Sequence, residues 1–200
     1  GRVTYTAAAG LPELRDAVAR HLGAPHGLDI PRDGVVVTCG AKHALYLALQ
    51  VLCDDGDEVV FASPYWVSYP EMARLAGARF TVVPTHGEDG FRLDPAALEA
   101  AISDRTRVVI LNSPSNPTGA VLSRANLEAV VNVAMQRGVW ILADEIYDQL
   151  YYGPEPPTSL LSFGPDVRAR TILVNGVSKT YGMTGWRIGY AVGPSDVVKL

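Results

Sequence analysis

The lysines of this sequence are candidates for covalent chemistry. The 200 residues include only three of them, against 14 arginines. A lysine amine can form an imine with a carbonyl compound. Lys179 follows a predicted strand, and Arg187 comes eight residues later. Lys42 opens a predicted helix, and Lys199 lies on a helix at the end of the chain. Lys179 is therefore the candidate for covalent chemistry, although a lysine after a strand is often only a solvated loop residue.

Polar and aromatic residues also follow the other predicted strands. In an open α/β sheet, ligands bind outside the carboxyl ends of the strands, so these residues are expected to share one site. They form a loop of phosphate size, an aromatic pair, an amide in a turn, and a carboxylate followed by a phenol: Gly40-Ala41-Lys42, Tyr65-Trp66, Asn112 to Gly119, and Asp144-Glu145-Ile146-Tyr147.

Several common motifs are absent from the sequence. There is no G-x-G-x-x-G fingerprint for a dinucleotide and no P-loop. There is no G-x-S-x-G or S-x-x-K motif of the common serine hydrolases. The four histidines, His21, His26, His43 and His86, lack metal-ligand spacing and are expected to be surface or loop residues. No metal site is predicted.

The elements that position these residues alternate between strand and helix. Strands are predicted at 35–38, 58–62, 79–83, 107–112, 139–144, 171–175 and 189–192. Helices are predicted at 11–22, 42–52, 68–76, 94–102 and 123–137, with another beginning at 193–196. Several strands are unbroken runs of valine, isoleucine and leucine, which is typical of strands covered on both faces. This pattern predicts an α/β fold with a mostly parallel sheet.

Composition excludes several classes of protein. Apolar residues make up 48% of the chain, which excludes intrinsic disorder, and a formal net charge of −4 gives no electrostatic case for nucleic acid. No apolar run approaches the roughly 18 residues of a membrane span, and no signal peptide is expected in residues 1–200. Cys39 and Cys53 form no disulfide framework, so a cytoplasmic protein is expected. Because Gly1 is not methionine and the chain stops soon after a helix begins, we expect a piece of a longer protein.

Five ordered segments resemble the class I and II aminotransferases of the pyridoxal-phosphate fold-type I superfamily. They are Tyr5-x-x-x-x-Gly10-x-Pro12-x-Leu14-Arg15, Ser63-Pro64-Tyr65-Trp66, Asn112-Ser113-Pro114-Ser115-Asn116-Pro117-Thr118-Gly119, Asp144-Glu145-Ile146-Tyr147, and the run from Ser178-Lys179-Thr180 to Tyr190. The resemblance covers nearly the whole chain, and within the family the sequence looks most like bacterial aspartate aminotransferases. It implies that residues 1–200 are a three-layer αβα cofactor-binding large domain, lacking the N-terminal arm and the C-terminal small domain.

The resemblance also implies roles for residues around a pyridoxal 5′-phosphate cofactor. Lys179 would carry the Schiff base and then move a proton between the substrate α-carbon and the cofactor. Asp144 would keep the pyridine nitrogen protonated, while Asn116 and Tyr147 would hydrogen-bond the phenolic oxygen. Trp66 would stack on the ring, with core packing as the alternative. Cis peptide bonds are expected at Asn116-Pro117 and at Ser63-Pro64.

The phosphate end has its own implied residues. Gly40, Ala41 and Lys42 would offer the start of a helix to the phosphate, and the Ser178 hydroxyl and the Arg187 guanidinium would bind it. In the family the counterpart of Tyr5 reaches the neighbouring subunit's phosphate, which implies a homodimer with a shared site; the alternative is that Tyr5 packs on its own chain. Many relatives have serine where this chain has Gly176, so one phosphate contact would be missing.

Substrate choice stays more open. In the aspartate aminotransferases that this sequence resembles, the lysine at Lys42 pairs with the distal carboxylate of an acidic substrate, and Trp66 and Asn116 also contact the substrate. The expected activity is amino transfer between aspartate, or another acidic amino acid, and a 2-oxo acid. The alternatives are an aromatic or broad-range aminotransferase, a β-lyase, and a non-catalytic regulatory domain of aminotransferase type.

Overall fold

Seven short runs rich in β-branched residues form one sheet in the computed structural model, which describes residues 4–200. The strands are β1 (Val35–Thr38), β2 (Glu58–Ser63), β3 (Arg79–Pro84), β4 (Thr106–Asn112), β5 (Trp140–Asp144), β6 (Thr171–Gly176) and β7 (Gly189–Val192). All of these strands were predicted, with ends that agree to within one residue.

The sheet has the strand order β1-β7-β6-β5-β4-β2-β3. Strands β3, β2, β4, β5 and β6 pair in parallel, whereas β7 is antiparallel to both β6 and β1. In the register, Asn112 at the end of β4 lies opposite Asp144 at the end of β5. The carboxyl ends of the parallel strands therefore meet at one edge, as the sequence predicted.

The helices connect these strands, and several of them begin at start signals in the sequence. They are α1 (Pro12–Gly23), α2 (Ala41–Leu52), α3 (Ser68–Leu75), α4 (Pro95–Ala101), α5 (Arg124–Gln136), α6 (Pro165–Arg168), α7 (Val177–Thr180) and α8 (Ser195–Val198). The Asp94 side chain accepts a hydrogen bond from the Ala96 amide and caps α4. The Ser123 side chain caps α5 in the same way. The short helices α6 and α7 were not predicted.

Two apolar cores sandwich the sheet, because alternate residues of each strand point to opposite faces. In β4, Val109 and Leu111 join the core beneath α1, α4 and α5. Val108 and Ile110 join the other core, beneath α2 and α3. Burying each such side chain contributes about 1.5–3 kcal/mol. The three-layer α/β fold is confirmed.

Three peptide bonds before proline are cis: Ser63-Pro64, Ser113-Pro114 and Asn116-Pro117. The first and third were predicted, whereas the second was not. All three lie in segments that follow β2 or β4, at the carboxyl edge of the sheet. Among the described residues, no helix is both long and apolar enough to cross a membrane.

Candidate active site

A cavity of about 290 Å³ opens at the carboxyl edge of the sheet. Its lining residues are Ala41, Lys42, Leu45, Trp66, Asn112, Asn116, Asp144, Ile146, Tyr147, Ser178, Lys179, Thr184 and Arg187. Every predicted site residue except Gly40 and Tyr5 is in this lining. Segments far apart in sequence thus bring an amine, a carboxylate, a phenol, two amides, a guanidinium and an indole to one space.

Lys179 reaches the cavity from α7, the single helical turn that follows β6. Its side chain is half-buried, and its Nζ lies 5.2 Å from the centre of the Tyr147 ring. Tyr147 comes from the turn after β5, the strand that pairs with β6. The amine and the phenol therefore face a common space from neighbouring strand ends.

Asp144 is the buried carboxyl of the cavity, with 3% of its surface exposed. The Tyr69 hydroxyl donates to its Oδ2 at 2.6 Å, and the Ile146 amide donates to its Oδ1 at 3.4 Å. Burial raises the pKa of Asp144 to about 6, and the hydrogen bond from Tyr69 opposes that rise. A carboxylate that is so little hydrated favours a protonated nitrogen as its partner.

Asn112 joins two parts of the site through its side chain. Its Nδ2 donates to the Asp144 carbonyl at 2.9 Å and to the Pro114 carbonyl at 3.3 Å. Its Oδ1 accepts from the Asn116 amide at 2.8 Å. The turn that carries Asn116 is thus tied to the strand end that carries Asp144.

Glu145 is buried beside the site but does not line the cavity. Its carboxyl accepts from the Leu160 amide at 2.8 Å. Burial raises the pKa of Glu145 to about 7, against the lowering effect of that amide. The contact fastens the segment 145–160, which includes Tyr147.

The start of α2 forms the end of the cavity that suits an anion. The first amides of a helix have no partner inside the helix, so the N–H groups of Ala41 and Lys42 are available to a bound anion. Gly40 precedes them with a φ of +88°, and a Cβ there would lie 2.3 Å from Nη2 of Arg187. Glycine at position 40 therefore makes room for the Arg187 guanidinium, although it does not itself line the cavity.

Lys42 and Trp66 approach each other at the mouth of the cavity. The Lys42 Nζ lies 4.9 Å from the centre of the Trp66 ring, a cation–π distance. Trp66 is half-buried and packs edge-on against Tyr69, with ring centres 5.7 Å apart. The Trp66 ring thus packs against the core and also lines the cavity.

Two sequence features have a direct structural explanation. A Cβ at Gly176 would lie 2.9 Å from the Ile188 carbonyl oxygen, so the close approach of β6 and the start of β7 leaves no room for a serine without a backbone shift. Tyr5 is fully exposed, at 105% of its reference area, and lies outside the cavity lining. Tyr5 does not pack on its own chain in this structure.

Tyr69 and Asn112 make hydrogen bonds at the site, but neither had a role assigned from sequence. Tyr69 lies three residues after Trp66, at the start of a helix, and this spacing could have placed both on one face. Asn112 belongs to a segment that was singled out, but its contacts depend on the pairing of β4 with β5. Within residues 4–200, no cluster of three or more histidine, cysteine, aspartate or glutamate side chains could hold a metal ion.

Comparisons with known proteins point to one family. The family profile described as aminotransferase class I and II matches residues 1–200. The aspartate aminotransferase of Geobacillus stearothermophilus is 46% identical over 199 residues, covering 100% of this chain and 51% of the relative. The aspartate/prephenate aminotransferase of Thermus thermophilus is 44% identical over 199 residues, with coverage of 100% and 51%.

A solved structure gives the same result. The aspartate aminotransferase of Thermus thermophilus with maleate superposes with a TM-score of 0.92 at 43% identity. The match covers 98% of this chain and 50% of that one. The chain therefore spans about half the length of the relatives it matches.

Proposed function

Because this chain belongs to the class I and II aminotransferase family, we propose that the whole protein is a pyridoxal-phosphate-dependent aminotransferase. It moves the amino group of aspartate, or of a similar acidic amino acid, to a 2-oxo acid such as 2-oxoglutarate. The observation that carries the proposal is the meeting of Lys179, Asp144 and Arg187 in one cavity. Residues 1–200 would be the cofactor-binding large domain, with the small domain encoded beyond them.

The cavity residues fit the separate parts of the cofactor. The phosphate has the amides of Ala41 and Lys42, the Ser178 hydroxyl and the Arg187 guanidinium as donors. Space for that guanidinium depends on Gly40 having no Cβ.

The ring and the aldehyde have partners at the other end of the cavity. Asp144 is the buried acceptor for a protonated ring nitrogen. Asn116 and Tyr147 are donors for the phenolic oxygen, and Trp66 supplies an apolar face for the ring. The Lys179 amine is the nucleophile for the aldehyde.

When bound, the cofactor supplies an electron sink for the substrate α-carbon. The chain's own residues then have separate tasks. The Lys179 amine moves a proton at the substrate α-carbon as general base and acid. Asp144 holds the proton on the ring nitrogen, and the Tyr147 hydroxyl donates to the phenolic oxygen.

Covalent trapping tests the proposal. The full-length protein is incubated with pyridoxal 5′-phosphate, reduced with borohydride and digested, and the modified peptide is identified by mass spectrometry. The adduct is expected on Lys179 and absent from a Lys179→Arg variant, while Lys199→Arg, which changes an exposed lysine, leaves it in place. An unmodified Lys179 peptide under conditions that label other lysines would contradict the mechanism.

The preference for an acidic substrate is proposed to depend on Lys42. Its ammonium group lies at the cavity mouth above Trp66, where it can meet a second carboxylate. The relative solved with maleate, a dicarboxylate, is consistent with such a site. Lys42→Gln is expected to lower kcat/KM for aspartate by about 10- to 100-fold, the effect of losing a hydrogen bond to a charged group.

Measurement with a second amino donor separates specificity from damage. Activity toward phenylalanine should change less than threefold in Lys42→Gln. A Lys199→Gln variant serves as the matched control and should leave both donors unchanged. Equal losses for aspartate and phenylalanine would mean that Lys42 does not select the acidic side chain, and would favour a broad-range or aromatic enzyme.

We further propose a homodimer in a reducing cytoplasm. Full exposure of Tyr5 is consistent with a side chain that reaches a partner subunit's phosphate site. Cys39 and Cys53 are free thiols. Analytical ultracentrifugation of the full-length protein tests the dimer, and loss of cofactor affinity in Tyr5→Phe without dissociation of the dimer tests the shared site.

A further inference from the structure

We propose that Tyr69 is a positioning residue for the cofactor, whose hydroxyl holds the Asp144 carboxylate as an anion directed at the ring nitrogen while its ring supports Trp66. The inference rests on the proposed function and extends it to a residue outside the cavity lining. Tyr69 acts through Asp144 and Trp66 and does not itself contact the cofactor.

The hydrogen bond between the two side chains is short and shielded from water. The Tyr69 hydroxyl and Asp144 Oδ2 are 2.6 Å apart, a typical distance for a hydroxyl donating to a carboxylate. Tyr69 is 2% exposed and Asp144 is 3% exposed. The phenol therefore meets Asp144 on its core side, where bulk water has little access.

The alternatives for stabilising the Asp144 charge are weaker. The Ile146 amide is 3.4 Å from Oδ1, at the long end of hydrogen-bonding distance. The neighbouring Glu145 is a second carboxyl, and its charge opposes that of Asp144. The other titratable side chains of the cavity have partners of their own. Lys42 lies over the Trp66 ring, Lys179 lies over the Tyr147 ring, and Arg187 donates to two backbone carbonyls. Tyr69 is thus the strongest donor available to this carboxylate in the cofactor-free protein.

The phenol is suited to stay a donor. Burial and the nearby Asp144 charge both raise the pKa of Tyr69 well above its ordinary value, so the hydroxyl keeps its proton throughout the physiological range. The same surroundings fix the direction of the bond, because the carboxylate can only accept. A buried carboxyl that loses such a donor shifts toward its neutral form.

The Tyr69 ring also fixes the residue expected to cover the cofactor ring. It contacts Trp66 edge-on, at an interplanar angle of 85°. On its other side it packs against Phe61, with centroids 5.8 Å apart. One buried side chain therefore sets the relative positions of the carboxylate and the indole, which approach the cofactor from different directions.

Comparison of two cofactors in Tyr69→Phe isolates the hydroxyl. The variant keeps the ring packing, and equilibrium binding to the full-length protein is measured for pyridoxal 5′-phosphate and for its deaza analogue, in which carbon replaces the ring nitrogen. Affinity for pyridoxal 5′-phosphate is expected to fall roughly tenfold, the effect of losing a charge-assisted hydrogen bond. Affinity for the analogue should change less than twofold. Tyr46→Phe, on the half-buried surface of α2 outside the cavity, is the matched control.

A double-mutant cycle with Asp144→Asn gives a second measurement. In that background Tyr69→Phe should have almost no further effect on pyridoxal 5′-phosphate affinity, because the charge it supports is gone. Equal weakening of both cofactors by Tyr69→Phe, or additive losses in the cycle, would overturn the inference and leave Tyr69 with packing alone. Failure of the proposed function gives a different result, in which the unmodified protein binds neither cofactor.

Discussion

Arg187 has a backbone conformation that few residues with a Cβ adopt. Its φ is +55°, in the left-handed region, which costs about 1–2 kcal/mol for a residue other than glycine. The guanidinium donates to the Thr184 carbonyl at 2.9 Å and to the Cys39 carbonyl at 3.3 Å. These contacts hold the side chain beside the start of α2, where positive charge would complement a bound phosphate.

The fork geometry of Arg187 is expected to matter more than its charge. Arg187→Lys keeps the positive charge but removes bidentate donation and the two carbonyl contacts. The dissociation constant for pyridoxal 5′-phosphate should rise about tenfold or more, consistent with the loss of one hydrogen bond to a charged group. Fluorescence titration of the full-length protein measures this dissociation constant. Arg170→Lys, at the opposite end of β6 from the site, should leave the constant unchanged. Equal affinities for the Arg187→Lys variant and the unmodified protein would contradict the assigned contact.

Residues with distinctive chemistry could be predicted from sequence, and residues that support them could not. Lys179, Asp144 and Arg187 have uncommon side chains directly after strands, within segments that resemble a known family. Tyr69 and Asn112 have ordinary alternatives, a core aromatic and a turn amide. Their significance comes from partners 75 and 32 residues away, and only the pairing of strands and helices reveals those contacts.

At the scale of elements, the loop before α2 is tightly constrained. Gly40 combines a positive φ with a Cβ position only 2.3 Å from the Arg187 guanidinium. Gly40→Ala therefore introduces both backbone strain and a collision with a group assigned to the phosphate. Gly56, with a φ of +86° and nothing within 4 Å of its Cβ position, carries the strain without the collision.

These two glycines provide a matched pair of variants. Both Gly40→Ala and Gly56→Ala should lose about 1–2 kcal/mol of unfolding free energy through strain. Only Gly40→Ala should also weaken cofactor binding, by at least tenfold, because Arg187 must move. Chemical denaturation and cofactor titration separate the two effects. A normal cofactor affinity in Gly40→Ala would show that the guanidinium can shift without cost.

The connection between β4 and β5 should depend on the Asn112 side chain. Asn112→Ala removes one bond to the Asn116 amide and two to backbone carbonyls, and is expected to cost about 1–3 kcal/mol of unfolding free energy. Cofactor affinity should fall with it, since Asn116 and Asp144 lose their mutual alignment. The exposed Asn132 on α5 provides the control, because Asn132→Ala should change neither quantity measurably. An affinity loss of the same size in Asn132→Ala would remove the argument for alignment.

The positions of strands and helices could be predicted from sequence more readily than the direction in which each strand runs in the sheet. Apolar runs such as Val35–Thr38 and Thr106–Asn112 predict buried strands, and Asp94 and Ser123 predict helix starts. Nothing in the four residues Gly189–Val192 shows that this strand runs opposite to the others. Strand direction is set by how far the preceding connection carries the chain, which is a property of the folded layers.

At the scale of the whole molecule, two buried carboxyls make stability depend on pH. Burial raises the pKa of Glu145 from 4.5 to about 7 and that of Asp144 from 3.8 to about 6. Between pH 4 and 7 the folded protein thus binds protons that the unfolded chain has released. As far as these groups are concerned, stability of the cofactor-free protein should be greatest below about pH 4 and should fall as pH rises toward 7.

Glu145→Gln is expected to remove about half of this dependence, because the two carboxyls are shifted by similar amounts. The Glu145 contribution corresponds to about 3 kcal/mol lost between pH 4.5 and 7, taken as an order of magnitude. Denaturant unfolding at several pH values measures the slope, and Glu99→Gln, on the exposed face of α4, should leave it unchanged. A slope of the opposite sign that persists in Glu145→Gln would mean that other groups dominate.

The reversed direction of β7 has a consequence for how a ligand would be held. Residues 177–188 leave the sheet at the end of β6 and re-enter it at the start of β7, on the same edge and between adjacent strands. Lys179 and Arg187 thus lie on one short loop that is anchored at both ends by adjacent strands. A connection between parallel strands would instead have to cross the sheet and return to the opposite edge. Anchoring at both ends reduces the conformational freedom of this loop before any ligand binds. Much of the entropy cost of ordering the loop is therefore incurred during folding rather than on ligand binding.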